Sequence, residues 1–468
     1  MRFFLLSLSV VLTFSLMACG EDNDSSDLVT DAAGLHKALE EAASGDSVRL
    51  EAGTFEGSFE VPFGVSLLGD SAGTIIKFSG DGPVLEIATQ AGATTVVQNL
   101  TVEGGAGGGI AADGGGALEL SDIQVSVTGS VGVKLAGLSS VAIDSLDLAG
   151  NVTEADKDGV PVDPDPARYA VVGLALVSVD QATLNEVSAQ GFAAYGVILY
   201  ETPTVWDGGE AHHLVGTGIQ AAGSVEVTLK NLSAHHVWQG ATPFGYGIVA
   251  SHDVHLITEN VSLEDNDLTG MLIDHSTGDH SGIKAKRNGN RGIWIQHCLP
   301  RDRALGSAAV VFQGTGNHLD DNAGVGLGIF QSQGISVSNA QIDNTRKITM
   351  VALGAGEAQI GDGIEIIGSD NLEFSEVTLA DNERAGVVVD GRTPEASESN
   401  TTVDFTNVEI SGDGDRGFAS QNGTASSSPD VVTPALQQAD QMGGFLDVAA
   451  GLDSANIPAP EGIIDVDI

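Results

Sequence analysis

A glycine followed by alternating apolar and polar residues recurs along most of the chain. Clear examples begin at Gly173, Gly196, Gly247, Gly270 and Gly292, and neighbouring starts lie 22 or 23 residues apart where no insertion intervenes. Alternation of this kind predicts short β-strands, and a period of this length is typical of stacked structural repeats. The pattern therefore predicts one elongated all-β array rather than several compact domains.

Each period holds three short strands. Residues 247–263, for example, read GIVASHDVHLITENVSL, which is three alternating runs separated by polar residues. Three strands bounded by turns form one rung of a single-stranded parallel β-helix, and rungs stack about 4.8 Å apart. A β-propeller blade needs four strands and about 40 residues, so that architecture fits less well. We expect about a dozen rungs over residues 29–420, with residues 421–468 as a C-terminal cap or a loose tail.

Asparagine marks a fixed place in this repeat. Four asparagines each stand four places before a repeat glycine: Asn266, Asn288, Asn322 and Asn382. Asparagine tolerates turn conformations, and stacked amides can hydrogen-bond from rung to rung. These residues are therefore predicted to be structural.

The first repeats carry a signature of their own. Leu35, Ala38, Leu39 and Ala42 form one face of a short helix, and the strand VRLEAG and the phrase GVSLLGD follow it. This arrangement resembles the start of right-handed parallel β-helix proteins of the pectin-lyase-like group, in which a short helix caps the open core. The resemblance covers residues 29–420 and implies the fold. It implies no single activity, because this fold supports lyases, epimerases, hydrolases and non-enzymatic surface proteins.

The amino end of the chain resembles a bacterial lipoprotein signal. One basic residue and an apolar run precede Cys19. The resemblance implies a signal peptide over residues 1–18, lipidation of Cys19, anchoring to a membrane through that lipid, and an acidic tether over residues 19–28. Gly20 favours the outer membrane of a Gram-negative bacterium. The alternative is an ordinary signal peptide with a chance cysteine.

Charge and composition narrow the function classes. The 468 residues include 64 acidic and 19 basic side chains, which gives a formal charge of −45. Such charge excludes binding of nucleic acid through bulk charge, so no nucleic-acid partner is expected. The apolar fraction of 42% is too high for a disordered acidic chain. Cys298 is the only cysteine besides Cys19 and is predicted to be a packed small residue.

The middle of the array concentrates reactive side chains. Ten of the 11 histidines lie between His212 and His318, and six of the 19 basic residues lie between Lys284 and Arg303. All three tryptophans lie in or beside the same stretch. Aromatic rings stack on sugars, and basic side chains attract anionic ligands, so this stretch is where we expect a glycan to dock.

The repeat register aligns three of the histidines. His252, His275 and His297 each lie five places after a repeat glycine, so we expect them to stack on consecutive rungs. Gln333 is expected at the same place on the next rung, and Asp274 is expected on the outward side next to its histidine.

The paired histidines form a second set. His212-His213 and His235-His236 are offset by 23 residues, so we expect them on neighbouring rungs. The two sets are predicted to flank one strip of surface. Neighbouring residues within a strand point to opposite faces, so a metal site here would need ligands from two rungs.

These patterns give two groups of candidate residues. The candidates for catalysis are His252, His275, His297, Asp274 and Arg291. The candidates for substrate binding are Tyr200, His213, His236, Trp238, Tyr246, Lys284, Arg287 and Trp294.

Calcium is the only cofactor for which the sequence offers a loop. Residues 265–270 resemble the start of a Ca²⁺ loop, but the twelfth place is Ser276, where an EF-hand needs a bidentate glutamate. We interpret the segment as an acidic turn, and the identity of any metal stays open.

Two functions remain. The first is a lipid-anchored envelope β-helix that binds or processes polysaccharide, as a polyuronate lyase, epimerase or glycoside hydrolase. In a lyase or epimerase, a base removes the proton next to a carboxyl group, and a cation stabilises the charge that develops. The second is a non-enzymatic surface, structural or adhesion protein whose histidine ladder only packs the rungs.

Overall fold

The structure is a computed structural model that describes residues 28–71, 73–241, 243–300, 308–352, 356–390, 401–413, 416–421 and 424–427. The predicted signal peptide, Cys19 and nearly all of residues 421–468 lie outside the described residues. Two parallel sheets run along the array, with 14 strands in sheet A and 20 in sheet B. Neighbouring strands of each sheet come from neighbouring rungs, which confirms the parallel β-helix.

Sheet A contributes one strand to each rung. Its strands are Phe59–Val61, Leu85–Ala88, Ile110–Asp113, Ser130–Ala136, Ala170–Val177, Tyr195–Tyr200, Thr217–Ala222, Tyr246–Ser251, Thr269–Asp274, Arg291–Gln296, Val325–Phe330, Asp362–Ile367, Ala385–Asp390 and Arg416–Gln421.

Sheet B contributes the rest of each rung. Its strands are Ser47–Arg49, Gly53–Glu56, Ser66–Leu68, Thr74–Phe78, Thr94–Gly104, Ala117–Val127, Ser140–Ala149, Ala182–Gln190, Thr204–Val215, Glu226–Trp238, His255–Glu259, Ser262–Glu264, Thr277–Ser281, Lys284–Lys286, Val310–Phe312, Asn317–Asp320, Gln333–Asp343, Asp370–Ala380, Thr402–Ser411 and Thr424–Ser427.

A left-handed residue bends sheet B in the middle of most rungs. Examples with φ between 50° and 57° are Asn99, Asp122, Asn231 and Asn260. Asparagine and aspartate adopt this conformation more easily than other residues with a side chain. The bend divides sheet B into two segments, so each rung has the three strands that the sequence predicts.

The core lies between the sheets and is filled by the inward positions of both sheets. Ile248, Ala250, Met271 and Ile273 are 0% exposed. Full burial of an apolar side chain of the larger kind contributes about 1.5–3 kcal/mol. The apolar positions of the alternating sequence pattern are therefore the inward positions that fill the core.

Close stacking of rungs explains the repeat glycines. A Cβ atom at Gly270 would lie 2.6 Å from the carbonyl oxygen of Gly292 and 2.9 Å from the side-chain Nδ2 of Asn288. Gly247 and Gly292 show the same approach, at 2.5 and 2.6 Å from the next glycine oxygen. These glycines are therefore required by contact between rungs at the start of sheet A strands, not by turns.

The predicted asparagine ladder is present. Asn288 is 0% exposed and donates to the side-chain oxygen of Asn322 at 2.9 Å, while Asn266 donates to Asn288 at 2.9 Å. The ladder is a structural feature, as the sequence indicates.

The predicted cap is the helix Ala32–Glu41. Asp31 caps its first turn by accepting a hydrogen bond from the amide of Gly34 at 2.7 Å. Leu35 and Leu39 are buried against the first rungs. No helix in the part of the chain that the structure describes is long and apolar enough to cross a membrane.

Two insertions carry the remaining elements. A 3₁₀ helix, Lys157–Gly159, lies in the longest gap between repeats, and Ile348–Ala352 pairs antiparallel with Gly356–Ile360. Val152 and Val160 of the first insertion pack on Trp238, so this insertion covers one end of two central rungs.

Candidate functional site

The central rungs turn at left-handed residues on both sides of their sheet A strands. We call the turn before the strand the leading corner and the turn after it the trailing corner. Four leading-corner residues have φ between 49° and 56°: His213, His236, Asp265 and Arg287. Five trailing-corner residues have φ between 45° and 60°: Glu201, His252, His275, His297 and Gln331.

The corners place the two histidine sets on opposite borders of sheet A. The sets therefore flank one strip, the outward side of sheet A, as the register predicts. Gln331 rather than Gln333 follows His297 at the trailing corner, because Gln296 pairs with Phe330. The prediction for Gln333 is therefore wrong.

The left-handed corners also decide where side chains point. In a regular strand, consecutive side chains point to opposite faces, but a left-handed residue breaks this alternation. The Nδ1 atoms of His212 and His213 are consequently 2.7 Å apart, and those of His235 and His236 are 2.8 Å apart. The expectation that such pairs point to opposite faces is wrong for this reason.

One carboxylate at the trailing corner joins two histidines. Asp274 Oδ1 accepts hydrogen bonds from Nδ1 of His275 at 2.9 Å, Nδ1 of His297 at 3.0 Å and Nε2 of Gln296 at 3.0 Å. The rings of His275 and His297 lie 4.7 Å apart between centroids. We call these four residues the Asp274 cluster.

The Asp274 cluster combines a buried carboxylate with an accessible imidazole. Burial opposes ionisation of Asp274, but the hydrogen bond from His297 and the charge of His275 outweigh it and lower the pKa of Asp274 below its usual value. The side chain of His275 is 59% exposed and that of Asp274 only 9%. Because Asp274 accepts at Nδ1, Nε2 of His275 is the nitrogen left to exchange a proton with a ligand.

The third histidine of the trailing corner has a different partner. His252 is exposed, and its Nδ1 lies 2.9 Å from Oγ of Ser251. Ser251 is itself buried and accepts from Gln220 at 3.1 Å. The hydrogen-bond partner of His252 in the described structure is therefore a hydroxyl, whereas His275 and His297 are oriented by the carboxylate of Asp274.

The strip between the corners is largely apolar, although it also encloses Arg291 and Glu365. Its main cluster consists of Val249, Leu272, Trp294, Phe330 and Ile367, with Tyr246 packed against it. The indole of Trp294 is 5% exposed and lies against Gly328, where a Cβ atom would come within 2.1 Å of the ring.

The other predicted aromatic residues are also enclosed. Trp238 is 6% exposed beneath the first insertion, and Tyr200 packs half-buried beside Tyr195 and Ile198. Trp238 and Trp294 therefore do not offer the exposed stacking faces that the sequence predicts, because neighbouring rungs and the insertion cover them.

Arg291 does not join the histidines with which the sequence groups it. It begins the strand that ends at Gln296, and five residues of strand span about 16 Å. Its guanidinium lies 4.0 Å from the ring centroid of Trp294, and its Nε and Nη2 atoms have no hydrogen-bond partner among the described residues. Burial lowers the pKa of Arg291, and the charge of Glu365 partly offsets this effect.

The basic patch is largely neutralised by neighbouring rungs. Arg287 donates to Asp265 at 2.6 Å and to Glu264 at 2.9 Å, and Lys286 lies 2.7 Å from Asp320. Lys284 is exposed on sheet B. Arg301 and Arg303 lie outside the described residues.

The suspected calcium loop is an acidic turn. Asp265 faces Arg287, whose hydrogen bond lowers the pKa of Asp265. Asn266 belongs to the ladder, and Asp267 accepts from the backbone amide of Gln239 at 2.8 Å. These three side chains therefore have separate hydrogen-bond partners.

Four imidazoles meet at the leading corner. His212 stacks on His235 at 5.1 Å, and His213 stacks on His236 at 4.8 Å. We call these four residues the histidine quartet. Glu210 accepts from Nε2 of His235 at 3.1 Å and lies 3.3 Å from Nε2 of His212. Burial, together with the neighbouring imidazoles, lowers the pKa values of His212 and His213, so both are neutral at pH 7.

Within the residues that the structure describes, two groups have ligand atoms close enough for a metal ion. They are His213, His235 and His236 at the leading corner, and Asp274, His275 and His297 at the trailing corner. In each group the ligand atoms lie within 4.8 Å of one another. Imidazole and carboxylate are the donors that transition metals and zinc accept.

The sequence places His212 and His235 on neighbouring rungs by their 23-residue offset but does not include them among the candidate binding residues. Glu210, which contacts both rings, is not predicted at all. No sequence pattern marks Glu210, because its contacts with histidines of two rungs depend on the direction of its side chain.

Comparisons with known proteins support the fold. Residues 172–342 match the family profile described as a right handed beta helix region. None of the curated proteins matches the chain. With the parallel pairing of both sheets, the fold is a right-handed parallel β-helix.

Solved structures with a similar chain fold have low sequence identity to this protein. The A-module of the Azotobacter vinelandii mannuronan C-5 epimerase AlgE4 is 14% identical, with a TM-score of 0.43 over 84% of this chain and 95% of its own. Tailspike protein 3 of bacteriophage CBA120 is 13% identical, with a TM-score of 0.41 over 83% of this chain and 60% of its own. The catalytic domain of a GH87 alpha-1,3-glucanase is 12% identical, with a TM-score of 0.42 over 89% of this chain and 71% of its own. Likeness at this level carries no activity to the present chain.

Proposed function

We propose that this protein binds a polysaccharide along the trailing corner of sheet A and that the Asp274 cluster transfers a proton to or from it. One observation carries the proposal: a buried, ionised carboxylate holds two imidazoles on consecutive rungs, and the side chain of His275 is 59% exposed. Rungs about 4.8 Å apart make a straight, repetitive border, which suits an extended polymer better than a compact ligand.

The chemistry follows from the tautomer that Asp274 fixes. Nδ1 of His275 donates to the carboxylate, so Nε2 can remove a proton from the ligand, and Asp274 stabilises the imidazolium that results. His297 places a second imidazole 4.7 Å away that can return a proton or balance negative charge. Removal of the proton next to the carboxyl group of a uronate is the first step of both elimination and epimerisation, so we propose a lyase or an epimerase.

Charge sets the conditions for an anionic substrate. The chain carries a formal charge of −45, and Lys286 and Arg287 are already paired with carboxylates. A polyuronate is therefore repelled at long range, and salt or a bridging divalent cation should strengthen its binding. A neutral glycan should show no such dependence.

The test uses the full chain and a panel of polyuronates, sulfated glycans and neutral glycans. Binding and unsaturated or epimerised products are measured. We expect His275→Asn to reduce turnover at least 100-fold, the lower range for loss of a general base, while circular dichroism stays unchanged. Asparagine tolerates the left-handed backbone of that corner.

Ser145→Asn is the matched control, because Ser145 occupies a left-handed bend of sheet B, away from the trailing corner, with φ of 62°. It should keep full activity. Absence of binding to every glycan, or equal turnover in His275→Asn, contradicts the proposal.

A non-enzymatic surface protein is the second candidate. His280 favours it, since this histidine is 1% exposed and packs on Phe312, which shows that histidine serves as a packing residue in this array. This function predicts no turnover and an envelope partner whose capture in pull-downs is insensitive to His275→Asn. Failure of the folded chain to capture an envelope protein argues against it.

We further propose export and lipid anchoring through Cys19, in the outer membrane of a Gram-negative bacterium. The sequence Leu16-Met17-Ala18-Cys19 supports this proposal. Metabolic labelling with a radioactive fatty acid should mark the wild type and not Cys19→Ser. Labelling of both proteins contradicts lipidation at this cysteine.

A further inference from the structure

We propose that His213, His235 and His236 bind one transition-metal ion that prefers square-planar or tetragonal ligands, Cu²⁺ or Ni²⁺, and that Glu210 positions these ligands. The site lies at the leading corner. It is separate from the proton-transfer site at the trailing corner, so neither proposal depends on the other.

The spacing of two nitrogens indicates the class of ion. The Nδ1 atoms of His235 and His236 are 2.8 Å apart. Nitrogens that bind one metal at about 2.0 Å are about 2.8 Å apart for a right angle between the bonds and about 3.3 Å apart for a tetrahedral angle. The observed spacing is that of a hydrogen bond between the two rings, and it also matches the right angle that Cu²⁺ and Ni²⁺ favour, so these ions need the least movement of the rings.

The third ligand comes from the preceding rung. The nitrogen of His213 lies within 4.8 Å of the other two. Ligands on opposite sides of a metal are at most about 4.2 Å apart, so the rings of two rungs need to approach by no more than about 0.6 Å. Small rotations about side-chain bonds supply this movement, and the half-buried position of the rings leaves the ion a route from solvent.

Glu210 determines which nitrogens are available. Its two oxygens lie 3.1 Å from Nε2 of His235 and 3.3 Å from Nε2 of His212. A carboxylate that holds the Nε2 proton leaves a lone pair on Nδ1 of the same ring, as in many metal sites with a supporting carboxylate. Glu210 is therefore a positioning residue. It leaves the Nδ1 lone pairs of His212 and His235 directed at the neighbouring rings of His213 and His236.

A packing ladder alone does not require this arrangement. At the trailing corner, His275 and His252 find a carboxylate and a hydroxyl as partners. In the quartet, His213 and His236 each meet another imidazole at Nδ1, and two such nitrogens share only one proton. An ion bound at Nδ1 satisfies both nitrogens at once.

The test is metal binding by the full chain. Protein treated with a chelator is dialysed against micromolar Cu²⁺ or Ni²⁺, bound ions are counted by atomic absorption, and the copper form is examined by electron paramagnetic resonance. We expect one ion per chain, nitrogen couplings in the spectrum, and a raised thermal unfolding midpoint. His213→Asn and His236→Asn should lose the ion and the couplings, since asparagine keeps the corner backbone but removes the ring.

Matched variants separate this site from the rest of the chain. His252→Asn and His275→Asn make the same change at trailing corners and should keep the ion. Glu210→Gln should weaken binding about 10- to 100-fold at unchanged stoichiometry. His235→Gln replaces a strand residue and serves if the corner variants fail to fold by circular dichroism.

Three results overturn the proposal. The first is a wild type that retains no ion at micromolar concentration. The second is an ion that His236→Asn or His235→Gln retains with wild-type affinity. The third is loss of the ion in His275→Asn, which would place it at the trailing corner.

Discussion

His280 offers the sharpest test of which histidines are structural. It lies on the strand Thr277–Ser281, is 1% exposed, and its Nδ1 is 2.9 Å from Oγ1 of Thr258. Its ring packs 4.7 Å from that of Phe312, and within the described part of the chain its Nε2 has no hydrogen-bond partner. Burial, with a smaller contribution from His255, lowers the pKa of His280 to about 3.

The depressed pKa fixes the sign of a pH effect. The unfolded chain binds the proton near the ordinary pKa of about 6.5, whereas the folded chain does not bind it until about pH 3. The unfolded state therefore holds more protons between these values, so stability is complete above pH 6.5 and falls as the pH is lowered. The slope is about 1.4 kcal/mol per pH unit, which gives a loss of about 2 kcal/mol between pH 8 and pH 5.

The assay compares unfolding free energies from guanidinium chloride titrations at pH 8 and pH 5. His280→Leu removes the titrating group at similar volume, so the pH-dependent loss should be about 2 kcal/mol smaller in the variant than in the wild type. Other titrating groups affect both proteins equally and cancel. His36→Leu is the control for the substitution itself, because it makes the same change at an exposed position. Parallel profiles for wild type and His280→Leu, within about 0.5 kcal/mol, would refute the reasoning.

Three further predictions concern the fold. Asn288→Ala should lower the unfolding free energy by about 3 kcal/mol, because it removes three hydrogen bonds of 2.9 Å. The control Asn185→Ala, on the exposed side of sheet B, should change the unfolding free energy by less than about 0.5 kcal/mol. Equal effects of the two substitutions would contradict a stabilising role for the asparagine ladder. Gly270→Ala should cost at least about 1–3 kcal/mol because its Cβ would lie 2.6 Å from a carbonyl oxygen of the next rung. Gly159→Ala, with nothing within 4 Å, should be nearly neutral, and a neutral Gly270→Ala would refute the packing argument. Burial raises the pKa of the Cys298 thiol to about 12, so a thiol reagent at pH 8 should modify it only after unfolding, and rapid labelling of the native chain contradicts this.

Much of the fold follows from the sequence because the repeat has local causes. A glycine at the start of most sheet A strands is required by the carbonyl oxygen of the next rung, and on four rungs an asparagine four places earlier forms the ladder. Because these requirements recur from rung to rung, they leave a period in the chain. The capping helix is equally local, since Asp31, Leu35 and Leu39 provide its cap and its buried face.

The candidate site was predictable only in part. Counting from the repeat glycine correctly placed His275 and His297 on consecutive rungs and set the paired histidines on the other border of sheet A. The position of Arg291 relative to the repeat glycine could not show that its side chain would be buried beside Trp294. Burial on the outward side of sheet A depends on which side chains from other rungs pack against that side. Nor could such a count show that Arg287 is already paired with Asp265.

The sequence by itself determined the rung, its stacking and the rows in which histidines recur, because a repeat of 22 or 23 residues converts chain position into position along the axis. Only the tertiary structure decided which side chains meet. Left-handed corners such as His236 and His275 turn adjacent side chains to one side, and partners such as Glu210 and Asp274 each reach two rungs. These contacts depend on backbone angles and burial, which no residue spacing encodes.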